Sequence, residues 1–195
     1  MNPERVEPRR RDRGKDEAFI RAALRCLPWG TLAVGAGEGP PHVNTNIFVY
    51  EAEPDRIYVH TARVGALADA VRAGGHGGVP ATFSASTMGR LLPADTALEF
   101  SVEYAGVTAF GRVSEVLGAD EATAALQAIL DRYAPHLRPG RDYRSIVSEE
   151  LRRTAVYRLD VEGWSGKQKV VGEHPGAFAL EVPSPPLGPD DGLLD

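Results

Sequence analysis

Three stretches of this 195-residue chain carry side chains whose types and spacing could hold a ligand. The first is Tyr58-Val59-His60-Thr61-Ala62-Arg63-Val64-Gly65. A strand ending in His60 and Thr61 runs into a loop with Arg63, and a helix starts near Gly65. A helix start directs free N–H groups and the positive dipole end at one place. With the Thr61 hydroxyl and the Arg63 charge, it would suit a phosphate dianion. On these residues alone, a capped loop with a surface arginine accounts for the pattern as well. The second stretch is Asn44-Thr45-Asn46, a polar run inside a strand otherwise suited to burial. Buried amides must find partners, either in a flat ligand with many hydrogen-bonding edges or across strands at a wet face. The third, Trp164-Ser165-Gly166-Lys167-Gln168-Lys169, sets an indole beside a glycine turn and two lysines. It could stack on a ring and hold an anion, or Trp164 could be core and the lysines solvated.

Other chemistries find no support. The five histidines, His42, His60, His76, His136 and His174, show no metal-ligand spacing. His42 and His60 fall on adjacent expected strands and read as hydrogen-bonded structural residues. Cys26 is the one cysteine, so no internal disulfide and no multi-cysteine metal site can form. There is no G-x-S-x-G elbow, no Walker loop and no G-x-G-x-x-G after a strand. No catalytic residue is named. His60, which titrates near neutrality, is the candidate to test.

The elements that must position these residues are legible from periodicity. Residues 16–25 place Phe19, Ile20, Ala23 and Leu24 at helical spacing. Residues 30–36, 42–50 and 56–61 read as a three-strand antiparallel meander, the first turn being Gly37-Glu38-Gly39-Pro40. In the middle strand Val43, Thr45, Ile47 and Val49 share one face, and Asn44, Asn46 and Phe48 the other. A short helix over 65–72, a glycine-rich loop, a strand over 79–84 and a loop over 87–95 follow. Residues 97–117 are strongly β, with Leu98, Phe100, Val102 and Tyr104 on one face. At Ala105-Gly106 the apolar parity changes, which predicts a bulge or sharp bend. A helix over 120–133 has Asp120 as N-cap. A second spans 145–153, and the last strand covers 154–164. Antiparallel strands with late helices predict an α+β barrel.

The chain carries 22 Lys and Arg against 27 Asp and Glu, a net charge of −5. That balance argues against a general nucleic-acid binder. No apolar run is long enough to span a bilayer, and no secretory signal is present. With a lone cysteine, a cytoplasmic location is expected. The Ala, Gly, Arg and Pro content suggests a GC-rich bacterial source. The expected organisation is a disordered arginine-rich arm over 1–15, one domain over 16–172, and an extended tail over 173–195 on which Phe178 and Leu180 could dock.

In order, Gly39-Pro40-Pro41-His42 to Tyr50, Ile57-Tyr58-Val59-His60-Thr61-Ala62, Glu103-Tyr104-Ala105-Gly106-Val107 to Phe110-Gly111-Arg112, the helix over 121–133, and Thr154-Ala155-Val156 to Trp164-Ser165-Gly166-Lys167 resemble the pyridoxamine-phosphate-oxidase-like flavin-binding split barrels. The nitroimidazole-resistance branch is the most similar, and the resemblance covers roughly 16–169. It implies an antiparallel split β-barrel and a homodimer with flavin mononucleotide (FMN) at the interface. His60, Thr61, Ala62 and Arg63 would lie along its phosphate and ribityl chain. Asn44, Thr45 and Asn46 would edge the ring, and Trp164 and Lys167 would come from the other subunit or the rim. It also implies an FMN-dependent oxidoreductase with a small-molecule substrate. The alternative is a flavin, deazaflavin or haem protein without turnover. Two positions depart from the family pattern. Ala66 stands where members often carry a phosphate-binding Lys or Arg, and Gly106 where many have Ser. Losing that cation removes a charge-assisted hydrogen bond of roughly 1.5–3 kcal/mol, for which Arg63 or Lys167 would have to compensate.

Overall fold

The structure, a computed structural model, describes residues 3–35 and 39–180. Gly37 and Glu38 of the first turn, and residues 181–195 of the tail, lie outside the described residues. The elements in order are β1 (Glu4–Arg5), β2 (Gly14–Lys15), α1 (Glu17–Cys26), β3 (Gly30–Val34), β4 (His42–Asn46), β5 (Val49–Glu51), β6 (Arg56–Ala62), α2 (Ala66–Ala73), β7 (Val79–Leu92), β8 (Ser101–Glu115), α3 (Ala119–Tyr133), α4 (Ser148–Leu151), β9 (Thr154–Lys169) and β10 (Phe178–Ala179). They divide into two units. The first holds the described residues of Met1–Thr87 and Ala105–Gln168, the second those of Met88–Tyr104 and Lys169–Asp195.

The main sheet runs β4-β3-β7-β8-β9-β6-β5. The pairings of β3 with β4 and β7, of β5 with β6, and of β6 with β9 are antiparallel. This order corrects the expected meander, because β4 and β5 come from one predicted strand yet occupy opposite ends of the sheet. Only Ile47 and Phe48 separate them, so the two ends can be no more than roughly 11 Å apart. The sheet must therefore roll up until its ends meet, which is the split barrel.

At that seam Phe48 has no ladder partner, and its backbone groups are satisfied from α3. Arg132 donates to the Phe48 carbonyl at 2.9 Å, to the Leu24 carbonyl at 3.1 Å and to the Leu27 carbonyl. The Tyr133 hydroxyl donates to the Pro28 carbonyl at 2.6 Å and lies 3.2 Å from the Phe48 N–H, which donates to it. The fully buried Phe48 ring packs edge-on against Phe83 at 4.8 Å between centroids, with the Arg132 guanidinium over it, 4.5 Å from its centroid. Gly30 makes room for this, since a Cβ there would lie 2.1 Å from the Phe83 ring.

Helix α1 starts at Asp16, whose carboxylate accepts from the Phe19 N–H at 2.9 Å, and it buries Ile20 and Leu24. Arg21 clips the helix to the β5–β6 turn by a two-pronged pair with Asp55, at 2.6 and 2.9 Å, and Tyr50 donates to the same carboxylate. Asp55 is 6% exposed, so this pair holds a carboxylate that could not be buried alone. The main core cluster includes Leu32, Phe48, Ile57, Phe83, Val107, Tyr157, Leu159 and Trp164, and a second gathers Tyr58, Val116, Ala122, Ala125 and Val156.

Several expectations are corrected. The arm is not wholly disordered: β1 pairs parallel with β9 and β2 pairs antiparallel with it. Strand β7 continues through Leu92 where a loop was expected. Helix α3 begins after Gly118 with no side-chain cap, so Asp120 lies in its first turn and is not the N-cap. The face of Leu98, Phe100, Val102 and Tyr104 is not core, since Leu98 is 96% exposed. In β8 the buried residues are Glu103, Val107, Ala109, Gly111 and Val113, one parity throughout. Glu103 can be buried because Arg90 grips it at 2.8 and 2.9 Å and the Val171 N–H donates to it at 2.9 Å. These bonds, Arg90 first, hold its carboxyl down at about 2. In the same unit β10 pairs with β7, with Phe178 opposite Leu91.

Replacing Arg132 with Met keeps the apolar stem and removes every seam bond of the guanidinium. The expected cost is about 3 kcal/mol, because hydrogen bonds from a charged group are lost and buried carbonyls are left unpaired. Urea unfolding measures it, as a lower midpoint at unchanged slope. A change under about 0.5 kcal/mol, the size of an ordinary surface substitution, would show that the seam does not depend on Arg132.

Candidate functional site

The seam brings together strands that are not sheet neighbours. Between β4 and β6 a cavity of about 590 Å³ opens, lined by Asn44, Asn46, His60, Thr61, Ala62, Glu150, Arg153 and Thr154. Period-two alternation along β4 turns Asn44 and Asn46 to the cavity while Val43 and Thr45 face solvent. The cavity end of β6 is fixed by its register on β9, with His60 opposite Val156, Thr61 opposite Ala155 and Ala62 opposite Thr154. Residues 57–59 of β6 are buried, whereas His60 and Thr61 are half-buried.

The polar groups form a donor–acceptor array. Asn46 Nδ2 donates to Asn44 Oδ1, which leaves the Asn44 side-chain N–H groups and the Asn46 side-chain oxygen without a hydrogen-bond partner among the described residues. Among the described residues, His60 Nδ1 is buried without a hydrogen-bond partner. Burial pushes the His60 imidazolium below its ordinary pKa, so the ring is neutral at pH 7. Glu150 is already committed: it accepts from the Val147 N–H at 2.9 Å and pairs with Arg144 at 2.7 Å, and these bonds lower its carboxyl. Such a site can bind and orient a flat polar molecule.

Five of the expected residues, Asn44, Asn46, His60, Thr61 and Ala62, line this one cavity. Four do not. Thr45 points away, its hydroxyl 2.9 Å from that of Thr31. Arg63 turns to another cavity, where Nε donates to the Leu151 carbonyl at 2.9 Å and Nη1 pairs with Glu115 at 3.2 Å. Trp164 is fully buried in the core, 5.0 Å beneath the Arg21 guanidinium, and offers no face to a ligand. The expected glycine turn at Gly166 is continuous strand, and Lys167 is exposed there, paired with Gly14 of β2. Sequence reasoning missed Glu150, Arg153 and Thr154 as cavity residues. It extended the helix over 145–153, whereas α4 ends at Leu151. The available signal was Glu150 as the third residue of a helix beginning at Ser148, reaching back to the N-cap backbone.

The family model described as Pyridoxamine 5'-phosphate oxidase matches residues 16–168. No curated protein matches the chain. Among solved structures, a flavocytochrome from Azotobacter vinelandii is similar at 21% identity and a TM-score of 0.72, covering 94% of this chain and 89% of that one. A FAD and haem binding protein from Mycobacterium smegmatis is similar at 22% identity and 0.69, covering 90% and 88%. A candidate 5-nitroimidazole antibiotic resistance protein from Bacteroides thetaiotaomicron follows at 19% identity and 0.63, covering 79% and 84%. These likenesses establish the antiparallel split-barrel fold.

Because the folded state holds His60 neutral, the unfolded chain takes up its proton more readily. This contribution to stability is complete above the unfolded pKa of about 6.5 and is lost as pH falls below it toward the folded value. The loss of melting temperature between pH 7.5 and pH 5.5 should therefore be smaller in His60→Gln than in the unaltered protein. Equal losses would show that His60 is not held neutral by the fold.

Proposed function

Since the chain belongs to the pyridoxamine 5'-phosphate oxidase family, we propose that it binds a flavin in the β4–β6 cavity and works as an FMN-dependent oxidoreductase on a small molecule. The observation that carries the reading is the Asn44–Asn46 amide pair, set in one cavity with the unpartnered Nδ1 of the neutral His60. An isoalloxazine ring presents alternating carbonyl and ring-nitrogen edges, which is what such an array can satisfy. Asn44 and Asn46 would meet the ring edge, and Thr61 and Ala62 would border the ribityl chain. When bound, the flavin supplies the hydride or electron transfer, and the chain binds it, orients it and limits water. We place the protein in the cytoplasm as a homodimer whose second copy completes the cavity. No helix among the described residues is long and apolar enough to cross a membrane.

A second reading is a flavin or haem protein without turnover. It is favoured by a cavity whose one carboxylate, Glu150, is already bonded to Arg144 and Val147, and by likeness to a flavocytochrome and a FAD and haem binding protein.

The absorption spectrum after purification, repeated after soaking with FMN or FAD, tests both readings. A two-banded flavin spectrum that NAD(P)H bleaches, with the released chromophore identified by mass, is the expected outcome. A flavin that is never reduced supports the second reading, as does a strong Soret band. No chromophore in any condition overturns both. Asn44→Leu should weaken flavin binding about 10-fold, the worth of one net hydrogen bond.

A further inference from the structure

Resting on the flavin reading, the structure assigns Arg153 as the residue that recognises the phosphate. The segment leading into β9 is densely charged: Glu149, Glu150, Arg152 and Arg153 lie within one turn of chain. Three of the four charges are neutralised locally. Arg152 pairs with Glu149 at 3.0 Å, and Glu150 pairs with Arg144 at 2.7 Å. Arg153 lines the cavity, and among the described residues its guanidinium has no hydrogen bond or ion pair. Arg153, exposed at the rim, thus brings the cavity a positive charge that no described residue pairs with.

Backbone geometry explains why this arginine faces the cavity and Arg63 does not. The β6–β9 ladder ends with Ala62 opposite Thr154, and the Arg63 N–H donates to the Arg153 carbonyl one step beyond. The two arginines are therefore backbone partners with different destinations. Arg63 holds the Leu151 carbonyl and Glu115. Arg153 shares the cavity with the Thr61 and Thr154 hydroxyls. A guanidinium without a protein partner, lining the cavity with Thr154 and with Thr61, whose hydroxyl donates to the Ala62 carbonyl at 3.3 Å, matches the planar, forked recognition of a phosphate monoester. The ring would then lie toward Asn44 and Asn46 on β4, with the chain running along β6.

The test is direct titration of the full chain with FMN and with riboflavin, which differ only in the phosphate, at low ionic strength. The unaltered protein should prefer FMN by about 10- to 100-fold, the worth of one charge-assisted hydrogen bond. Arg153→Gln should bring FMN to within about 3-fold of riboflavin while leaving riboflavin affinity unchanged, and Arg153→Lys should restore most of the preference. Arg63→Gln should keep the preference whatever it does to stability, because riboflavin affinity reports any general damage. A preference that survives Arg153→Gln and vanishes in Arg63→Gln overturns the assignment and leaves the flavin reading intact. Equal affinity of the unaltered protein for both ligands does the same. Binding of neither ligand overturns the flavin reading and the assignment together.

Discussion

The backbone of Phe48 must be satisfied without a neighbouring strand, and the rest of the barrel depends on how that is done. One β-ladder cannot continue through residues 47–48, because the chain there leaves one end of the sheet and joins the other. An exposed junction would turn to water. A buried one must be bonded by the protein or pay several kcal/mol. Arg132 and Tyr133, at the last turn of α3, bond the Phe48 carbonyl and N–H and also reach Leu24 in α1 and Leu27 and Pro28 just after it. The same few bonds therefore tie together the barrel seam, the exit of α1 and the end of α3. The cavity follows from this closure, since β4 and β6 meet across it only because the sheet's ends are held together.

How much of this is legible in the chain depends on the range of the interaction. The period-two pattern of the strand expected over 42–50 places Asn44 and Asn46 on one face, as β4 does, because burial of alternate residues is a local rule; in β6, where residues 57–59 are all buried, alternation does not hold. The 3.6-residue pattern likewise located α1, α2 and α3. The break at Ile47-Phe48 is not visible, because both residues are apolar and fit a continuous strand. What breaks it is the closure of the sheet, whose bonds come from residues far along the chain. Glu103 misled for a related reason. Its neighbours Val102 and Tyr104 look like the core face, and only the distant Arg90 and Val171 make Glu103 the buried one.

The site residues divide in the same way. Trp164 beside Gly166 and Lys167 reads as a stacking platform, but the last strand continues and places the indole under Arg21. Arg63 reads as the phosphate cation by its position before a helix, yet Glu115 and the Leu151 carbonyl claim it. Choosing between Arg63 and Arg153 requires knowing which arginines have partners. That is a property of pairs and not of spacing, and an ion pair leaves no periodic trace. Under the proposed flavin reading, Ala66, the departure from the family pattern, calls for a cation from elsewhere, and Arg153, just before β9, is the one proposed.

The central claim is that the barrel seam creates one cavity in which the amides of β4 meet a flavin ring. It is tested most directly by the side-chain amide resonances of Asn44 and Asn46 in a nitrogen-15 spectrum recorded during titration with FMN. Both should move with the binding isotherm, while the amide of Gln127 on α3, bonded to Asp131 and to Tyr143 beyond the helix, stays in place. Saturable flavin binding that leaves the Asn44 and Asn46 amides unmoved would put the flavin elsewhere and contradict the account.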